Sequence, residues 1–117
     1  MHSFKDFKVW QKAMELVSRV YEVTQSFPEV EKFGLTNQIR RSAVSIPSNI
    51  AEGCGRNSNK ELSHFLSISL GSSYELETQL MIANNLNYLN SEDLIGFQKE
   101  LEEIQKMLFT LKLKYKA

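Results

Sequence analysis

The sequence predicts an all-α fold, an antiparallel up-and-down four-helix bundle. Apolar residues recur at alternating three- and four-residue steps through four long segments. Strand-like alternation is absent throughout, and the segments are separated only by short turns, the arrangement of an up-and-down bundle. With 117 residues, only 5 Gly and 2 Pro spread along them, and no flexible linker, residues 1–117 form one domain.

In the first segment, about residues 5–26, Val9, Ala13, Leu16, Val20, Val23 and Phe27 mark one helical face. A second apolar seam, Trp10, Met14, Val17 and Tyr21, lies one position round. The two seams make a wider apolar arc than an isolated bundle needs, which points to a central helix or a subunit interface. Phe27-Pro28 ends the helix, because the residue before proline is pushed off helical geometry. The second helix, about 35–54, carries Leu35, Ile39, Ala43, Ile46, Ile50 and Cys54 on one face. Pro47 removes a backbone donor and crowds the Ala43 carbonyl, so a kink is expected there, with the stripe resuming in register beyond it. Gly53 and Gly55 are expected to supply left-handed positions at its end.

Ser58-Asn59-Lys60-Glu61 fits a capping box and opens a third helix that runs to about Asn87 along Leu62, Phe65, Leu66, Leu76, Leu80, Ala83 and Leu86. Its middle holds Ser67, Ser69, Gly71, Ser72 and Ser73, small residues that let a neighbouring backbone come close. Interior serines disfavour a helix, so another interaction must compensate. The fourth helix is capped by Asn90 or Ser91, with Glu92 and Asp93 in its first turn and Lys112, Lys114 and Lys116 at its end, as the helix dipole favours. Leu94, Phe97, Leu101, Ile104, Leu108, Leu111 and Tyr115 make its stripe.

Lys plus Arg number 14 and Asp plus Glu 14, a neutral balance that argues against strong phosphate binding by a single protomer. The N-terminus lacks an apolar signal region and no run reaches membrane-spanning length, so no membrane role is expected. A lone Cys54 has no partner for an intrachain disulfide, which fits a reducing cytoplasm.

No nucleophile–base pair is visible, so an enzyme is not expected. Glu61 and His64 have the spacing used in bundle metal sites, but only once, whereas a di-metal site needs two such pairs. No metal and no cofactor are therefore expected. Cys54 lies on the apolar stripe without a nearby His and reads as a small buried hydrophobe.

Binding is better represented. Arg40 is expected to face solvent and Arg41 to lie nearer the core edge. Each reads either as surface charge in an ion pair or as a phosphate contact, since the arginine fork matches phosphate oxygens. The Gly53–Ser58 loop reads as helix punctuation or as an anion cradle with Arg56 and Lys60 converging on it. A buried polar network is expected from Arg41, Asn49, Glu52, Glu75 and Glu77, with Arg41 paired to Glu75 or Glu77, because buried charges must be paired. Trp10, Met14, Val17 and Tyr21 are the candidate oligomer interface.

Several runs carry a resemblance. They are Phe7-Lys8-Val9-Trp10-Gln11-Lys12-Ala13, Thr24-Gln25-Ser26-Phe27-Pro28, Phe33-Gly34-Leu35-Thr36, and Gln38-Ile39-Arg40-Arg41. The most specific is Ala43-Val44-Ser45-Ile46-Pro47-Ser48-Asn49-Ile50-Ala51-Glu52-Gly53, and Glu75-Leu76-Glu77-Thr78-Gln79-Leu80 extends it. Over nearly its whole length the chain resembles the four-helix-bundle proteins encoded by intervening sequences in bacterial 23S ribosomal RNA genes. That resemblance implies a ring-like homopentamer with a poorly defined biochemical role. A related group, the accessory proteins of diversity-generating retroelements, is similar in fold and binds nucleic acid and a reverse transcriptase through a basic pentamer, from which this chain departs in its neutral charge. The expected partners are therefore copies of itself, with RNA or DNA gathered by basic residues repeated around the ring, or a partner protein docked on a scaffold.

Overall fold

The apolar stripe of the first segment winds into α1 (Lys8–Thr24) and buries Val9, Ala13, Leu16 and Val20. This computed structural model of the protein describes residues 2–116. α1 is shorter at both ends than the spacing suggests. Phe4–Asp6 form a separate 3-10 turn, extended Phe7 caps the helix, and Thr24 ends it. Val23 is only partly buried, whereas Phe27, beyond the helix, closes over the core.

α2 (Leu35–Cys54) has the expected bounds and runs uninterrupted through the buried Pro47. Ile39, Ala43, Ile46, Ile50 and Cys54 are fully enclosed. Gly53 and Gly55 do not act through left-handed geometry, because no glycine among the described residues has positive φ. Gly53 is needed for proximity instead: a Cβ there would sit 2.8 Å from the Phe65 Cβ and 3.0 Å from Leu62 Cδ1.

α3 (Asn59–Asn85) starts at the anticipated box, with Ser58 Oγ accepting from the Glu61 amide at 3.1 Å. The helix stops two residues early, and Leu86 is exposed rather than on the stripe. The left-handed residue is Asn87, at φ 64°. Around it the Tyr88 amide donates to the Ala83 carbonyl at 2.9 Å and the Asn87 amide to Asn84 at 3.0 Å, which is a Schellman closure with asparagine in place of glycine. α4 (Ser91–Lys114) is capped by Asn90, whose side chain accepts from the Asp93 amide at 2.7 Å.

Each helix packs against its neighbours in sequence, and α4 returns to meet α1. Four helices and no strands, among the described residues, make an up-and-down bundle measuring 44 × 24 × 19 Å. The two ends differ. Near the start of α1, the His2 amide donates to the Cys54 carbonyl at 3.1 Å, and its ring meets Asn59 Oδ1 at 3.0 Å and Tyr115 edge-on. The opposite end carries the α1–α2 loop.

Candidate functional site

The outward face of α2 holds the two arginines predicted to matter, and their roles are the reverse of those expected. Arg40 is drawn back onto α1 and is only partly exposed. Its Nε donates to Thr24 Oγ1 at 2.8 Å, its Nη2 reaches the Tyr21 carbonyl at 3.3 Å, and its guanidinium lies 4.4 Å from the centre of the Tyr21 ring. Those contacts tie two of its five donors and one face of its guanidinium to the fold. Arg41, one step of about 100° further round the helix, is exposed and has no hydrogen bond or ion pair among the described residues.

Two shallow grooves meet at Arg41. One, between α2 and α3, is lined by Gln38, Arg41, Ser42, Ser45, Glu75 and Gln79. The other, toward α1, adds Tyr21, Asn37, Arg40 and Val44. Amides, hydroxyls and the Glu75 carboxylate line the first groove, whereas the second is more apolar, with the Tyr21 ring and Val44 in its wall.

The remaining candidates lie elsewhere. Arg56 is some 15 residues on, about 20 Å along the helix axis at 1.5 Å per residue. Its Nη2 pairs with Glu52 at 2.8 Å and its guanidinium stacks 4.7 Å from the Phe65 ring. Lys60 is exposed and unpaired among the described residues. Arg56 and Lys60 therefore do not join Arg40 and Arg41 in one patch on the protomer. Glu61 Oε1 accepts from the Ser58 hydroxyl at 3.3 Å, and His64 lies edge-on to Phe65.

The expected buried network of Arg41, Asn49, Glu52, Glu75 and Glu77 is not buried in the protomer. Arg41, Glu52 and Glu75 are exposed, Asn49 bonds back to Ser45 of its own helix at 2.8 Å, and Glu77 accepts from Gln105 of α4 at 3.1 Å. Burying charge is costly, and hydroxyls do the bridging instead. Ser42 Oγ lies 2.9 Å from both Glu75 Oε1 and Gln79 Oε1, Ser45 and Ser72 meet at 2.8 Å, and Ser69 donates to the Ile46 carbonyl at 2.9 Å. These bonds are the compensation that the serine-rich middle of α3 requires. Gly71 takes no part, being exposed with open space beside it. Ser42 was missing from the sequence reading, although it stands one residue from Arg41 on the inner side of the same helix.

Cys54 is fully enclosed, and burial raises its thiol pKa above the ordinary range, the opposite of an activated nucleophile. Along α1, Met14 and Tyr21 are exposed, while Trp10 and Val17 are partly covered and pack against the core. Trp10 also meets Phe4 edge-on at 5.1 Å. Much of this seam is thus open on the protomer. No described helix is long and apolar enough to cross a membrane.

The chain belongs to the 23S rRNA-intervening sequence protein family, whose model matches residues 5–110. The relationship first suggested by the Ser-Ile-Pro-Ser-Asn run is thereby borne out. Among solved structures the chain is similar to the crystal structure of a protein of unknown function from the S23 ribosomal protein family of Bacteroides thetaiotaomicron. The two share 27% identity with a TM-score of 0.79, over 89% of this chain and 97% of that one. No curated protein sequence matches the chain.

Proposed function

We propose that this protein is a non-enzymatic, self-associating bundle of the cytoplasm that binds RNA or DNA through the exposed cations of α2, Arg41 foremost. The observation that carries the reading is the state of Arg41: a solvent-exposed guanidinium without an acidic partner among the described residues, set where two shallow grooves meet. Arg40 holds the shape of that face, Lys60 adds a free charge at the far end, and Arg56 contributes when a phosphate displaces Glu52. A neutral protomer offers few cations, so affinity comes from repetition. A ring-like homopentamer formed through the Trp10, Met14, Val17 and Tyr21 seam multiplies each one five-fold.

The test combines solution mass with fluorescence anisotropy on short RNA and DNA across a salt series. Binding is expected to weaken steeply with salt, and Arg41→Ala is expected to lower affinity on all sequences and flatten the salt slope. Absence of binding at low salt, or an unchanged slope in Arg41→Ala, refutes the reading. A second reading, a scaffold that docks a partner protein, is favoured by Val30 and Phe33, which stand 86% and 87% exposed on the α1–α2 loop.

A further inference from the structure

Between the start of α1 and the end of α4 lies an open groove of about 520 Å³ that the reading above does not use. Phe7, Val9, Met107 and Leu111 floor it, and Tyr115 continues it. Lys8 rims one side and Lys106 and Lys114 the other, and no carboxylate lines it. Lys106 is paired with Glu102 at 3.2 Å, while Lys8 and Lys114 have no acidic partner among the described residues. The Lys114 ammonium lies 5.4 Å from the centre of the Tyr115 ring, a contact that leaves its charge uncancelled. Asp6 stands exposed in the turn ahead of α1, outside the lining. α1 itself opens with no acidic residue in its first turn and no side-chain cap, so its free amides add to the positive potential at this end.

The groove is also clear of the seam assigned to self-contact. Lys8 lies about 200° round α1 from Trp10, on the flank from which Lys12 and Arg19 reach α4. Contact between copies through the seam therefore leaves the groove open.

Floor and rim together select the occupant. A phosphate backbone satisfies the lysines but has nothing to cover Met107 and Leu111. A small molecule is held on one side only by a groove this open. A peptide supplies both apolar and anionic groups. Beyond the first turn of α1 the walls are helices whose main-chain groups are spent internally, so an extended segment would cover its own amides without partners. A helix brings those bonds with it. Met107, Leu111 and Tyr115 recur at four-residue steps, about 6 Å apart along α4, the spacing at which a second helix presents its own i and i+4 residues.

We infer that the α1–α4 groove binds an acidic amphipathic helix of a partner protein. The apolar stripe of that helix packs on Phe7, Met107 and Leu111, and carboxylates flanking the stripe meet Lys8 and Lys114. The surface is separate from the Arg41 face and from the Val30 and Phe33 tip, so the inference stands or falls without either.

A display library of random peptides about 16 residues long, four turns when helical, panned on the full chain supplies the probe. Enriched peptides are expected to carry apolar residues at three- and four-residue steps with acidic residues on the flanks, and to become helical on binding by circular dichroism. Their affinity is expected to fall at least about tenfold when Lys8→Glu is combined with Lys114→Glu. Thr110→Glu, which sets a carboxylate over the floor, is expected to do the same. All three positions are exposed, so the fold is kept. No enrichment, basic or extended peptides, or unchanged affinity in either variant overturns the inference. So does loss of solution mass in Thr110→Glu, which assigns the groove to a second copy. Without enriched peptides, weaker oligonucleotide binding by the double variant assigns the groove to nucleic acid, and laurate retained by the wild type but not by Thr110→Glu assigns it to an anionic lipid. Either result overturns the inference as well.

Discussion

Between α2 and α3, short hydroxyl side chains bond across a close approach, and Gly53 leaves room for Phe65. Between α1 and α4, contact is sparser and long charged side chains span the gap: Lys12 reaches Glu103 at 2.6 Å and Arg19 forks onto Glu100. Grooves open along both seams, but the one between α2 and α3 is lined by polar side chains, whereas the one between the start of α1 and the end of α4 has an apolar floor. The contrast teaches where the bundle can admit something else. A seam bridged by short hydroxyls offers only a polar lining, whereas a seam clasped by flexible charged chains leaves apolar floor exposed beneath them.

The comparison can be broken most severely at Gly53. Gly53→Ala should cost about 1–3 kcal/mol in urea unfolding, because the added methyl meets a Cβ rather than a yielding side-chain tip. Ser69→Ala, which deletes the enclosed bond to Ile46, should cost about 1 kcal/mol. A Ser69→Ala variant as stable as the wild type would show that the seam is held by shape alone. On the other side, Arg19→Gln should cost under about 1 kcal/mol, since both partners are about a third or more exposed, and the effect should shrink in high salt. A loss at α1–α4 larger than at Ser69 would invert the ranking.

The smallest expected effect is one of pH at Cys54, which closes the sealed seam from the α2 side. Its folded thiol pKa is raised by burial, so above the ordinary thiol range the unfolded chain gives up its proton first. Stability from this group is therefore full below the unfolded pKa and lost as pH rises through the folded value. Cys54→Ala should remove that alkaline component from a Tm-versus-pH series, and native Cys54 should resist alkylation at neutral pH.

Much of the architecture was legible in spacing and caps. The bounds of α2, the Ser58 box, the Asn90 cap and the α4 stripe all depend on nearest neighbours in sequence, and local bonds decide them. The start of α1 was less legible, because the turn before it packs against α2 and extended Phe7 lies beside the end of α4, neither of which is a neighbour in sequence. Leu86 fell off the stripe because Asn87 turns the chain one residue later.

Periodicity determined the four helices and their inward faces, since a 3.6-residue repeat needs no partner to be recognised, and the specific run from Ala43 to Gly53 pointed to the family. Tertiary structure alone decided which arginine is spent and which is free. Arg40 and Arg41 are the same residue type one position apart, and each can reach several angströms in many directions. Only the placement of Thr24 and Tyr21 of α1 beside α2 selects Arg40 for the fold and leaves Arg41 to the solvent.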